Sequence, residues 1–145
     1  MTTHQTRSRD GRAVDEDRSG LLRLVLKLDA VVSGALGALS LAAGPALDDL
    51  LGTPLALLVP VGAFLVVWAA ALWVLASRSR MSRTAVWAAI AINLVWAIDS
   101  VAVVAAGWFP LTALGTAFVF AQAAAVALFA GLQFRGLRRS RPTAR

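Results

Sequence analysis

PLALLVPVGAFLVVWAAALWVLA (residues 54–76), SRSRMSR (77–83) and TAVWAAIAINLVWAIDSVAVVAAG (84–107) follow one another without a break. A helix rises about 1.5 Å per residue and a hydrocarbon core is about 30 Å thick, so about 20 apolar residues cross it. Each long block is enough for one crossing. The basic heptapeptide between them is too polar for lipid and short enough to turn the chain back.

The same reading extends to both sides. Uncharged runs cover residues 30–47, 50–77, 84–98 and 100–134, and the last is long enough to need an interruption, which Trp108-Phe109-Pro110 supplies. Four spans result, at about 21–43, 54–76, 84–107 and 110–134, with Pro110 placed to open the fourth. Residues 1–20 mix both charges without apolar periodicity and read as a disordered tail. Residues 135–145 carry five arginines and read as a second, basic tail. Between spans one and two, PALDDLLG (45–52) starts with a helix-compatible Pro and ends in Gly, as a short interfacial turn would. The fold class expected is all-α: a polytopic four-transmembrane-helix bundle of two hairpins.

Composition agrees. Of 145 residues, 59% are apolar and only 15% charged, with a mean hydropathy of +0.73. A soluble domain of this size could not hide that much apolar surface. The net charge of +6 and pI near 11.7 do not mark a nucleic-acid protein, because the arginines flank lipid-soluble segments. With no cysteine, thiol chemistry and thiolate metal sites are excluded, and the one histidine, His4, lies in the tail. No metal, cofactor or enzymatic constellation is expected.

Basic residues set the orientation. Arg7, Arg9, Arg12, Arg18, Arg23 and Lys27 precede or open span one. Arg78, Arg80 and Arg83 join spans two and three, and the remaining five follow span four. The other loops hold only Asp48 and Asp49 as charges. The positive-inside rule therefore places both termini in the cytoplasm of a bacterial inner membrane. Trp73 and Trp87 then lie near the inner boundary and Trp108 near the outer one, as an aromatic belt. Arg23 and Lys27 are expected to lay their stems along apolar surface and send their charges to the headgroups. The basic tails would lie against anionic lipid.

Ionisable groups in the hydrocarbon are costly, so each is a functional hypothesis that needs a partner. There are two, Asp29 and Asp99. Asp29 lies on a stripe with Ser33, Gly37, Ser40 and Gly44, small and polar like a helix-packing face, with Lys27 or a C-terminal arginine as a neutralising partner. On span three, Asn93, Trp96, Asp99 and Ser100 fall within an arc of about 120°. Rise arithmetic sets Gln122 of span four at the depth of Asn93 and Thr116 at that of Asp99. An Asn93–Gln122 hydrogen bond is the leading expected contact, contributing about 0.6 kcal/mol. Two functions remain open. One is a non-enzymatic interaction or accessory protein that associates with itself or a partner membrane protein. The other is a small proton- or cation-coupled transporter or channel subunit using Asp99 and Asp29. A packed, hydrogen-bonded Asp99 favours the first and a cavity at Asp99 the second.

The two hairpins share features. Asp29 and Asn93 each precede an apolar stretch ending in Gly, and Leu-Gly-Thr recurs at 51–53 and 114–116. A duplication giving parallel halves would produce this pattern, and so would shared composition. The segments at 22–36 (LRLVLKLDAVVSGAL), Asn93 with Trp96 and Ser100, 114–123 (LGTAFVFAQA) and 132–139 (LQFRGLRR) resemble small integral membrane proteins of actinobacteria. The resemblance spans residues 21–139. It implies the membrane fold and brings no activity or site.

Overall fold

The computed structural model describes residues 3–139, with side chains from Gly20 onward. Five helices follow in order: α1 (Thr3–Ala42), α2 (Gly44–Leu51), α3 (Leu55–Ser77), α4 (Arg83–Ala106) and α5 (Ala113–Arg139). There is no strand among the described residues. Four stretches are long and apolar enough to cross a membrane: Gly20–Ala42 of α1 and the whole of α3, α4 and α5. Large apolar side chains face outward along them, Val67, Ile98 and Leu128 each more than 60% exposed, as lipid-facing surface requires. The expected tail over residues 1–20 falls, except for Gly20, outside the residues whose side chains are described.

Local chemistry sets the helix ends. Pro45 sits in the first turn of α2, and Gly52, at φ 67°, ends it by donating its N–H to Asp48 O at 2.8 Å. This left-handed conformation penalises a Cβ. Asp48 in turn accepts from Leu55 N at 3.1 Å, at the start of α3. Ser82 caps α4 by accepting from Ala85 N. Gly107, at φ 64°, closes it, with Trp108 N reaching back to Val103 O.

Two expected boundaries move. The fourth span opens at Ala113 rather than at Pro110, because Thr112 provides a better cap: its hydroxyl accepts from Gly115 N at 3.0 Å. Thr112 is itself pinned to the end of α2, its N–H on Leu51 O and its hydroxyl on Leu50 O. At the other end α5 continues through the basic residues to Arg139. Gly136 and Leu137 are buried there, Gly136 against Leu22 of α1. The rest of the expected basic tail, residues 140–145, lies outside the described residues.

Helices α1 and α3 pack most closely. A Cβ added to Gly37 would stand 2.8 Å from Gly62 O, and one added to Gly62 would stand 3.0 Å from Gly37 O, so the two backbones touch through paired glycines. α4 and α5 form the second close pair. α1 also contacts α5, whereas α3 and α4 barely meet. The contiguous buried cluster lies at the basic end of the bundle, where Leu22, Leu26, Leu72, Val86, Ile90 and Leu137 are all but inaccessible, while Leu51, Leu58 and Ala123 are buried outside it. The other half has no such cluster among the described residues.

Arg23 contributes to that closure. Its guanidinium donates to Ala76 O, Arg78 O and Ser79 O at 2.6–2.9 Å. It is tied to the carbonyls at and just beyond the end of α3, which lack intrahelical donors and attract a cation.

Candidate functional site

Asp29 rests on top of the packed end and is 1% exposed. One turn on, Ser33 donates its hydroxyl to Oδ1 at 3.2 Å. Oδ2 accepts from two other helices, from Asn93 Nδ2 of α4 at 2.7 Å and from Gln133 Nε2 of α5 at 2.8 Å. One carboxylate thus joins α1, α4 and α5. The expected cationic partners are elsewhere: Lys27 Nζ lies 5.4 Å from the centroid of the Trp73 ring, and the guanidinium of Arg138 lies 5.6 Å from that of Phe134. Every hydrogen-bond partner of Asp29 among the described residues is neutral. Gln133 Oε1, in a residue with 0% exposure, is a buried acceptor with no donor among the described residues.

Above Asp29, toward α2, the bundle is hollow. A cavity of about 200 Å³ is lined by all four long helices, with Asp29, Ser33 and Asn93 as polar floor and Phe64, Trp68 and Phe129 among its apolar walls. A second cavity of about 310 Å³ continues toward α2 and is lined by Thr53, Asp99, Ser100 and Val103 among others. Leu36, Leu65, Trp96, Phe118 and Gln122 line both and form the partition. Hollowness follows from the packing. α1 is drawn against α3 by the Gly37–Gly62 contact and α4 against α5, which leaves space between the two pairs.

Trp96 is held at that partition by a closed circuit. Its indole N–H donates to Gln122 Oε1 at 3.0 Å, Gln122 Nε2 donates to Ser100 Oγ at 2.9 Å, and Ser100 Oγ donates back to Trp96 O at 2.7 Å. The ring also stacks on Phe64 across the gap between α3 and α4, at 5.7 Å and 7°. Phe64 stacks in turn on Trp68.

Of the residues singled out from the sequence, Asp29 and Asn93 meet directly, Trp96, Ser100 and Gln122 form the circuit, and Asp99 lines the second cavity. Asp99 is exposed and has no hydrogen-bond or ion-pair partner among the described residues. Thr116 is half-buried and lines neither cavity. The expected Asn93–Gln122 bond is not formed. Trp87 meets Phe134 and Ser100 meets Gln122, so in this antiparallel pair Asn93 stands opposite about residue 128, well over one turn from Gln122. The late start of α5 shifts the register. Side chains also lean toward their own helix N-terminus, which carries Gln122 away from Asn93 and toward Ser100.

Gln133 shares the face of span four that carries Gln122, but its pairing with Asp29 is not given by the sequence. The same lean explains their meeting, since α1 and α5 are antiparallel and the two side chains incline toward each other. The serines of the α1 stripe do not bond across helices either, as Ser40 donates to Leu36 O of its own helix. Compared with family models, with curated proteins and with solved structures, the chain matches none.

Proposed function

We propose that the protein is a small multi-pass carrier of a bacterial inner membrane, with both termini cytoplasmic, in which Asp29 is the group that takes up a proton or a cation. One observation carries this reading: the bundle is solid at its arginine-bearing end and hollow beyond it, and the one fully buried carboxylate among the described residues forms the floor of the hollow. A charge left uncompensated in so dry a place is costly, and its neighbours here supply dipoles but no cation. Asp99, unpartnered among the described residues and beside the second cavity, sits where a cation approaching from the α2 end would pass. By the positive-inside rule the solid end faces the cytoplasm, so the cavity reaches toward the outside.

The accessory-protein reading has its own support. Asp29 joins three helices, as polar glue does, and such glue needs no ligand. Thiol accessibility separates the two. The chain has no cysteine, so each introduced thiol is unique. In intact cells, an impermeant thiol reagent should label Ser40→Cys and Val61→Cys in the second cavity but not Ala89→Cys in the packed end. If Ser40→Cys and Val61→Cys are as inert as Ala89→Cys, the hollow is closed and the carrier reading fails.

A further inference from the structure

We infer that the ligand of the inner cavity is an organic cation with an apolar body, a protonated amine whose nitrogen meets Asp29 and whose hydrocarbon part lies among the aromatic rings. This rests on the carrier reading and deepens it. The two cavities are lined by no Lys, Arg or His among the described residues, while each contains one carboxylate, Asp29 in the first and Asp99 in the second. The cations nearest in sequence are committed elsewhere: Arg23 to the carbonyls ending α3 and Lys27 to the face of Trp73. The field in the hollow therefore has one sign, and low-dielectric walls strengthen it.

An inorganic ion fits this chemistry poorly. It needs several oxygens to replace its water shell. Here Asn93 and Gln133 turn amide N–H groups, not oxygens, toward the carboxylate, and most of the lining is apolar. An ammonium group needs fewer acceptors. Asp29 lines the cavity, and its Oδ1 receives only the 3.2 Å bond from Ser33, which leaves that oxygen with acceptor capacity. Phe64, Trp68, Trp96, Phe118 and Phe129 then offer apolar and π surface for the rest of the molecule, and rings of this kind favour cations. At about 200 Å³ the inner cavity lies below the usual range for drug-sized ligands, so a single-ring amine is the right scale.

The test uses the full chain in phosphatidylcholine nanodiscs, whose zwitterionic lipid does not gather cations. Phenylbutylamine, phenylbutanol and phenylbutyrate are titrated by calorimetry and tryptophan quenching against empty nanodiscs. The amine should bind saturably and about ten-fold or more tightly than the alcohol, equivalent to about 1.4 kcal/mol, with no binding of the acid. Asp29→Asn should bring the amine down to the alcohol. Equal saturable binding of amine and alcohol overturns the cation class and leaves the cavity in place. No saturable binding by any probe also overturns it, and the thiol map decides separately whether the carrier reading falls too. Should Asp29→Asn fail to fold, the comparison of the three probes on the unmodified protein is decisive by itself.

Discussion

Replacing Asp29 by Asn and, separately, by Leu distinguishes its shape from its charge. Both interhelical bonds end on the same oxygen, Oδ2. An Asn with its single oxygen at that position keeps both amide donors, and its own amide then faces Ser33 Oγ, which can accept. Leu keeps neither. Interhelical hydrogen bonds in a bilayer contribute about 0.6 kcal/mol each, so the direct loss is about 1.2 kcal/mol. Amide protons of Asn93 and Gln133 left unpaired where water does not reach raise this toward about 3 kcal/mol. The expected result is a destabilisation of about 1–3 kcal/mol for Asp29→Leu and under about 0.5 kcal/mol for Asp29→Asn. Reversible unfolding in mixed micelles, titrated with a denaturing detergent and followed by helicity and tryptophan fluorescence, measures both. If Asp29→Asn is as damaging as Asp29→Leu, negative charge itself holds the helices together and the neutral hydrogen-bonded description is wrong.

Gly37→Ala should push α1 off α3 and destabilise by about 1–3 kcal/mol, because its Cβ would meet the Gly62 carbonyl, whereas Gly131→Ala, with nothing within 4 Å, should be neutral in the same titration. Gly52→Ala should lose about 1–2 kcal/mol from its left-handed backbone and more from contact with Pro110 O, loosening the α2 end as read by proteolysis between α2 and α3. Trp96→Phe removes the donor to Gln122 and opens the partition, so an impermeant reagent should reach Ser33→Cys faster than in the parent; an unchanged rate would show that Trp96 does not separate the cavities.

The site is only partly legible in the sequence. Asp29, Asn93 and Gln122 stand out as polar residues within apolar runs, which needs no knowledge of neighbours. Their pairing does need it. Asn93 can be matched with Gln122 only by assuming where α5 starts, and Thr112, held against Leu50 and Leu51, moves that start. Gln133, eleven residues and about three turns beyond Gln122, falls on the same face of span four, and it is 0% exposed, but that face alone does not name Asp29 as its partner. Of the two acids within the spans only Asp29 is buried, because α4 turns Asp99 to the open side and Asn93 to the core.

The number of spans and the segregation of cations to one end are written locally in the chain. Both follow from the length of each apolar run and the charge of each connection, judged against a solvent about 30 Å thick. Which polar groups meet, and where the bundle is empty, emerges only when the helices pack. These outcomes depend on register and on helix separation, which two glycines and one threonine set. In helices this uniformly apolar, only sparse small and polar residues such as Asp29, Ser33 and Gly37 mark a packing face, and they do not say which helix will meet it.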